Sequence, residues 1–113
     1  MPFINSKTNV KIADNIKDEI KARLGNAVSI IGKSEGWLMV GFEDEYSLYF
    51  KGDGQTPCVY VEVSLYGSST RDKYSRLTAE ICEIYNNLLG IDKSRVYVKY
   101  EETDNWGWNG SNL

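Results

Sequence analysis

Histidine is absent from all 113 residues. Its absence excludes Ser-His and Cys-His nucleophile schemes and most transition-metal sites. An enzyme made from this chain and working near neutral pH must draw its base from a carboxylate, a lysine, a tyrosine or the chain's own amine. Cysteine is scarce: Cys58 and Cys82 lie far apart and fit no zinc or redox spacing. Both are expected to be buried thiols, and a reducing cytoplasm is the expected compartment. No apolar run approaches the ~20 residues that span a bilayer. The N-terminus lacks the basic and apolar regions of a signal peptide. Positive charge is not in excess either: 13 Lys and Arg face 16 Asp and Glu, for a net charge of −3. Sequence-blind nucleic-acid binding wants a basic face, so neither a nucleic acid nor a membrane is expected as partner.

Proline is also rare, yet one of the two prolines stands directly after Met1. Aminopeptidases remove an initiator methionine before a small residue such as proline. Pro2 would then carry a free secondary amine able to act as a base. The other reading is chance at a frayed terminus. The rest of the chain has to decide between them.

At this length the chain is expected to be one domain, residues 1–113, burying roughly 65% of its unfolded surface. Phe3–Thr8 reads as a short strand. Asp14 or Asn15 can cap a helix whose stripe is Ile16, Ile20, Leu24, Val28 and Ile31, with Gly25 inside it and Gly32 ending it. Trp37–Phe42 reads as a buried strand and Tyr46–Phe50 as a shorter one, followed by a turn. From Cys58 to Tyr66 the pattern alternates: Val59, Val61, Val63 and Leu65 face one way, Tyr60, Glu62, Ser64 and Tyr66 the other. A second helix runs from about Arg71 to Leu89 and stops at Gly90. "RVYVKYEE" reads as a strand, and a short final strand or a hairpin is expected around Trp106–Trp108.

The two halves echo each other, "IIGKSEGWLMVGFED" against "LLGIDKSRVYVKYEE". The fold class is therefore α+β. Two pseudo-repeated βαβ units build a four-stranded mixed sheet with both helices on one face. The opposite face would carry Tyr60, Tyr66 and Tyr97 with Trp106 and Trp108 nearby. Such an aromatic face is a liability in a monomer, so an oligomer is expected.

"MPFI" followed by "TNV", "GK" at the first helix end, "PC" opening the long strand, "RVYV" late in the chain and "WGWNGS" near its end stand in a telling order. Together they resemble the macrophage migration inhibitory factor branch of the tautomerase superfamily, over the full length with few gaps. The resemblance implies a homotrimer with three active sites at subunit interfaces. It implies a cofactor-free keto–enol tautomerase acting on aromatic α-keto acids such as phenylpyruvate. Pro2 would be the base after removal of Met1. An α-amino group titrates near ~8, and burial or a nearby cation favours its neutral form.

Carried over residue by residue, the resemblance makes Lys33 the cation for the substrate carboxylate; the plain reading is a lysine complementing the helix dipole. Tyr66 matches the residue whose backbone N–H meets substrate, although the family usually has isoleucine there. Tyr97 matches the pocket tyrosine lent to a neighbouring subunit. Lys99 stands where better-studied members have asparagine; it is either a second pocket cation or a solvated lysine paired with Glu62 or Glu101. Phe3, Trp37, Trp106, Trp108 and Leu113 fall where the family builds its pocket wall. The C-x-x-C of the family is broken at Val61, so its thiol–disulfide activity is not expected. Glu62, Glu101, Glu102 and Asp104 read as surface or interface charges. The alternative is a cytokine-like protein that binds a host receptor and keeps a vestigial pocket, secreted by a route that uses no signal peptide. A third reading is a ferredoxin-like domain with neither trimer nor reactive terminus.

Overall fold

The computed structural model describes residues 1–113. Its sheet is built from four strands: β1 (Pro2–Thr8), β2 (Met39–Glu43), β3 (Val59–Tyr66) and β4 (Val96–Thr103). They lie in the order β2-β1-β3-β4. β1 runs parallel to β2, antiparallel to β3, and β3 runs parallel to β4. Helix α1 (Asp14–Ala27) links β1 to β2, and helix α2 (Arg71–Leu89) links β3 to β4. These are the two echoed strand–helix–strand units that the sequence pattern predicts. A two-stranded hairpin, β5 (Gly107–Trp108) with β6 (Ser111–Asn112), stands apart from the main sheet.

Alternation decides which face is covered. Ile4, Val61, Val63 and Leu65 turn inward and are fully buried. They meet Ile20 and Leu24 of α1 and Leu77, Ile81, Ile84 and Tyr85 of α2, all without exposure. Two polar side chains share that layer, Ser6 and Thr8. Neither is left unpaired: the Tyr85 hydroxyl donates to Ser6 Oγ, and Thr8 Oγ1 donates to the Cys58 carbonyl at 2.6 Å.

Four expectations need correction. Helix α1 has Ala13, not Asp14 or Asn15, at its N-cap, with no side-chain bond. Asp14 is the first helical residue instead, where its charge complements the helix dipole. The helix also tightens into a 3-10 turn at Val28–Ile31 before Gly32. The strand expected at Trp37–Phe42 begins at Met39, and it is a sheet edge with both ends exposed rather than a buried strand. Trp37 lies in a 3-10 turn, Glu35–Trp37. Gly25 explains how that turn is seated: the Glu35 side chain lies over it, 2.5 Å from where a Cβ would stand.

Tyr46–Phe50 forms no strand: the Tyr46 N–H donates to the Thr8 carbonyl at 2.9 Å, but the segment continues no ladder and closes only an isolated bridge from Phe50 to Asp53. The loop after it is held otherwise. Arg95 donates to the carbonyls of Phe50, Asp53, Thr56 and Pro57 at 3.5, 3.2, 3.0 and 3.0 Å. Asp53 accepts from the Gln55 and Thr56 backbones. The face away from the helices carries Tyr60, Tyr66 and Tyr97 as expected, with a polar ladder between Tyr60, Tyr97 and Phe3. Lys7 pairs with Glu62 at 3.6 Å, Lys99 with Glu101 at 2.6 Å, and Asn5 donates to Glu43 at 2.8 Å. The last correction concerns the thiols: Cys58 is buried as expected, but Cys82 is only half-buried.

Candidate active site

Pro2 opens β1 opposite Leu65 and is buried. The neighbouring residue of β3, Tyr66, joins two parts of the chain through its backbone. Its N–H donates to the Met1 carbonyl at 3.2 Å. Its own carbonyl accepts from Lys33 Nζ at 2.8 Å. The start of the chain and Lys33 thus meet across the peptide groups of one residue.

Lys33 reaches that point because of Gly32. Gly32 takes a left-handed φ of 73°, which L side chains resist, and the Lys33 N–H returns to the Val28 carbonyl at 3.0 Å. This closes the helix end and turns Lys33 toward the end of β3. The charge is felt at the terminus. The Met1 amine is held below its ordinary value of 8.0, first by burial and second by Lys33.

A cleft of about 270 Å³ opens beside these groups. Met1, Pro2, Phe3, Trp37, Met39, Trp106 and Trp108 line it. All three tryptophans of the chain are therefore in its wall. Trp37 and Trp108 meet edge to face, with centroids 5.0 Å apart and planes at 86°. That geometry suits the quadrupoles of the two rings. Each tryptophan is set by a short local device. Ser34 Oγ accepts from the Gly36 N–H and shapes the turn that carries Trp37. The Leu113 N–H donates to the Trp106 carbonyl at 2.9 Å and closes the hairpin that carries Trp108.

The expected site residues divide into two groups. Pro2, Phe3, Trp37, Trp106 and Trp108 share the cleft; Lys33 and Tyr66 do not line it but meet beside Met1 through the Tyr66 backbone. Leu113 lies just beyond, 47% exposed and outside the wall. Tyr97 and Lys99 are elsewhere. Tyr97 pairs with Tyr60, which pairs with Lys7, five residues along β1 from Pro2. At ~3.3 Å per residue that is about 16 Å. Tyr97 is 61% exposed and borders a separate apolar hollow of about 230 Å³ with Leu48, Tyr49, Phe50 and Arg95. Lys99 takes the second of its two readings within this chain, the pair with Glu101.

Met39 and Leu38 are the large wall residues that sequence reasoning missed, and Met39 is the more telling. It is 66% exposed and stands in register with Phe3. Reading Trp37–Phe42 as buried hid it; pairing Phe3 against the second strand would have found it. A larger hollow, about 680 Å³, lies between α2 and β4 and is lined by Arg71, Tyr74, Thr78 and Tyr100. It is separate from the tryptophan-walled cleft, and its hydroxyls bond to one another and to Glu102. No three His, Cys, Asp or Glu side chains converge to hold a metal ion.

The chain matches the family described as macrophage migration inhibitory factor (MIF) over residues 1–113. Among solved structures it is similar to MIF2 of Leishmania major, with 31% identity and a TM-score of 0.94 over 100% of this chain and 97% of that one. It is similar to a MIF homologue from Prochlorococcus marinus at 25% identity and a TM-score of 0.88, over 97% of each chain. The fold is shared with Pt0534, solved after inactivation by 2-oxo-3-pentynoate, at 18% identity and a TM-score of 0.85 over 96% of this chain and 93% of that one. No curated protein matches the chain.

Proposed function

The chain belongs to the macrophage migration inhibitory factor family, and from that premise we propose a cofactor-free keto–enol tautomerase acting on aromatic 2-oxo acids of the phenylpyruvate type. The observation that carries the proposal is the cleft: an apolar, tryptophan-walled space beside the chain's first residues, with one ammonium group held at the same point. Its parts match the parts of such a substrate. The aromatic ring is suited to the tryptophans, and the carboxylate to Lys33, whose remaining N–H donors are not spent on Tyr66.

With Met1 removed, the Pro2 nitrogen becomes a secondary amine in that wall. As free base it takes a proton from the carbon next to the carbonyl. The C–H electron pair forms the C=C bond, and the carbonyl oxygen receives a proton as the enol. The reverse path returns the ketone. Nothing is oxidised, so no redox partner is required. The inactivation of Pt0534 by a 2-oxo acid suggests only which class of ligand to try first.

The proposal includes a homotrimer. Tyr97 lies too far from Pro2 to serve it within one chain, so a neighbouring subunit would supply it. Tyr49 and Tyr97, 71% and 61% exposed, would then be covered.

The test pairs intact mass with an enol–keto assay on one sample. Ketonisation of enolphenylpyruvate should rise in proportion to the fraction of chains that begin at Pro2, and Pro2→Gly should abolish most of it while the folded mass stays that of a trimer. Full activity in chains that keep Met1 would refute the amine as base.

A further inference from the structure

The turn between β3 and α2, Tyr66–Thr70, carries the carbonyl that holds Lys33, and it is pinned from the end of the adjacent strand β4. Gly67 leaves the strand with a φ of 90°, and its N–H donates to the Thr103 carbonyl at 2.9 Å. The Ser69 N–H donates to Glu102 Oε2 at 3.2 Å. The Tyr74 hydroxyl donates to the same oxygen at 2.5 Å. Thr70 then caps α2 by accepting from the Lys73 N–H at 3.2 Å. Tyr74 is itself fixed by its ring, stacked on Tyr100 with centroids 4.3 Å apart. One carboxylate oxygen therefore locks a loop, a helix start and a strand end together.

We infer that Glu102 is a positioning residue: by taking the Ser69 and Tyr74 donors it fixes the Tyr66 carbonyl, and through it sets the Lys33 ammonium where a substrate carboxylate would bind. The inference rests on the tautomerase reading of the cleft. The charge state needed is the ordinary one near neutrality. The hydrogen bond from Tyr74, then that from Ser69, holds the Glu102 carboxyl below its usual range, while burial and then Glu102 push the Tyr74 hydroxyl up to about 12. The bonds are charge-assisted, the kind strong enough to hold a loop. Gly67 shows how little separates clamp and cation: a Cβ built on it would stand 3.7 Å from Lys33 Nζ. A shift of this turn is a shift of the lysine's anchor.

A group that only places the binding cation should act on ground state and transition state alike. Such a loss raises KM and leaves kcat nearly unchanged. Three variants, assayed as processed protein, separate placement from general damage. Glu102→Ala removes the acceptor of both bonds, Glu102→Gln keeps a carbonyl oxygen in its place, and Tyr74→Phe removes one donor but keeps the stacked ring. Phenylpyruvate binding can be read directly from intrinsic fluorescence, since every tryptophan lines the cleft.

Glu102→Ala should raise both KM and the fluorescence-derived Kd about fivefold or more, with kcat within about twofold. Glu102→Gln should return both to within about twofold of the unaltered protein, and Tyr74→Phe should fall between. Wild-type binding in Glu102→Ala, while Lys33→Ala loses it, would overturn the inference and leave the tautomerase reading standing. An unaltered protein that neither binds nor turns over phenylpyruvate would overturn both. If Glu102→Ala proves too unstable to assay, unchanged KM in Tyr74→Phe and Glu102→Gln alike, together with unmoved Tyr66 and Gly67 amide resonances in both, overturns it equally.

Discussion

Replacing Lys33 with alanine tests the electrostatics of the cleft from two sides at once. Lys33 is half-buried, and one of its donors goes to the Tyr66 carbonyl at 2.8 Å. Its substitution removes the cation from the proposed carboxylate site. A hydrogen bond to a charged group contributes about 1.5–3 kcal/mol. That corresponds to a fall in kcat/KM of about tenfold to a hundredfold for a 2-oxo acid. The second effect concerns the base. Burial is the larger cause of the lowered terminal amine and Lys33 the smaller. Pro2, one residue further in, is buried too, so desolvation acts on its amine with the same sign.

The sign of the pH effect follows. In the proposed mechanism the free amine is the active form, so the acid limb of kcat/KM marks its pKa. Removing the cation makes the charged amine less unfavourable and moves that limb to higher pH. Because burial remains, the limb should still lie below the ordinary α-amino value of 8.0. The assay is ketonisation of enolphenylpyruvate across pH in buffers of constant ionic strength, with Lys33→Arg as the charge-conserving control. A limb that stays in place, or moves to lower pH, refutes the coupling of Lys33 to the base. Loss of rate with no rise in KM refutes its role in binding.

Three further outcomes follow from the core and the turn. Tyr85→Phe leaves the buried Ser6 hydroxyl without its donor and should cost about 1–3 kcal/mol in urea unfolding; adding Ser6→Ala should cost less than the two changes summed. Burial pushes the Tyr85 hydroxyl up to about 12 from 10.0, against a smaller opposing effect of Ser6. Below the unfolded value both states hold the proton and stability is intact; between about pH 10 and 12 only the unfolded chain ionises, so roughly 2–3 kcal/mol should be lost, and Tyr85→Phe should flatten that slope in denaturation series. Gly67→Ala strains a φ of 90° by about 1–2 kcal/mol and should raise KM for phenylpyruvate more than it lowers the thermal midpoint of a protein this size would suggest.

The parts of the fold that were legible in the sequence are those where one local pattern has one outcome. Helix α2 spans Arg71–Leu89 as its stripe and Gly90 indicate, and β3 keeps the inward set Val59, Val61, Val63 and Leu65. Where the pattern fits two outcomes, the fold depends on neighbours. "YSLYF" has strand-like side chains, but after one bond from the Tyr46 N–H to the Thr8 carbonyl its backbone joins no ladder of this chain. Met39 and Phe42 look alike by hydropathy, yet only an edge position leaves Met39 exposed. The capping of α1 went to a residue with no capping side chain, because Asp44 already holds the Ile12 N–H at 2.9 Å and fixes the entry of the chain. In the site, the residue types were legible from the family resemblance. The backbone junction at Tyr66 was not, since peptide groups leave no trace in a sequence.

That junction also explains why the departure from isoleucine at Tyr66 can be tolerated. Both contacts that tie Tyr66 to Met1 and Lys33 come from its N–H and its carbonyl. A change of side chain leaves them in place, whereas a change in the turn that follows does not. Selection on this cleft should therefore act more tightly on Gly67, Ser69 and Glu102, which shape the path of the backbone, than on the Tyr66 ring. Tyr66→Ile should leave the pH profile of turnover unchanged and alter only preference among 2-oxo acids of different bulk. If Tyr66→Ile instead displaces the acid limb as Lys33→Ala does, the ring and not the peptide group is what sets the charge at the site.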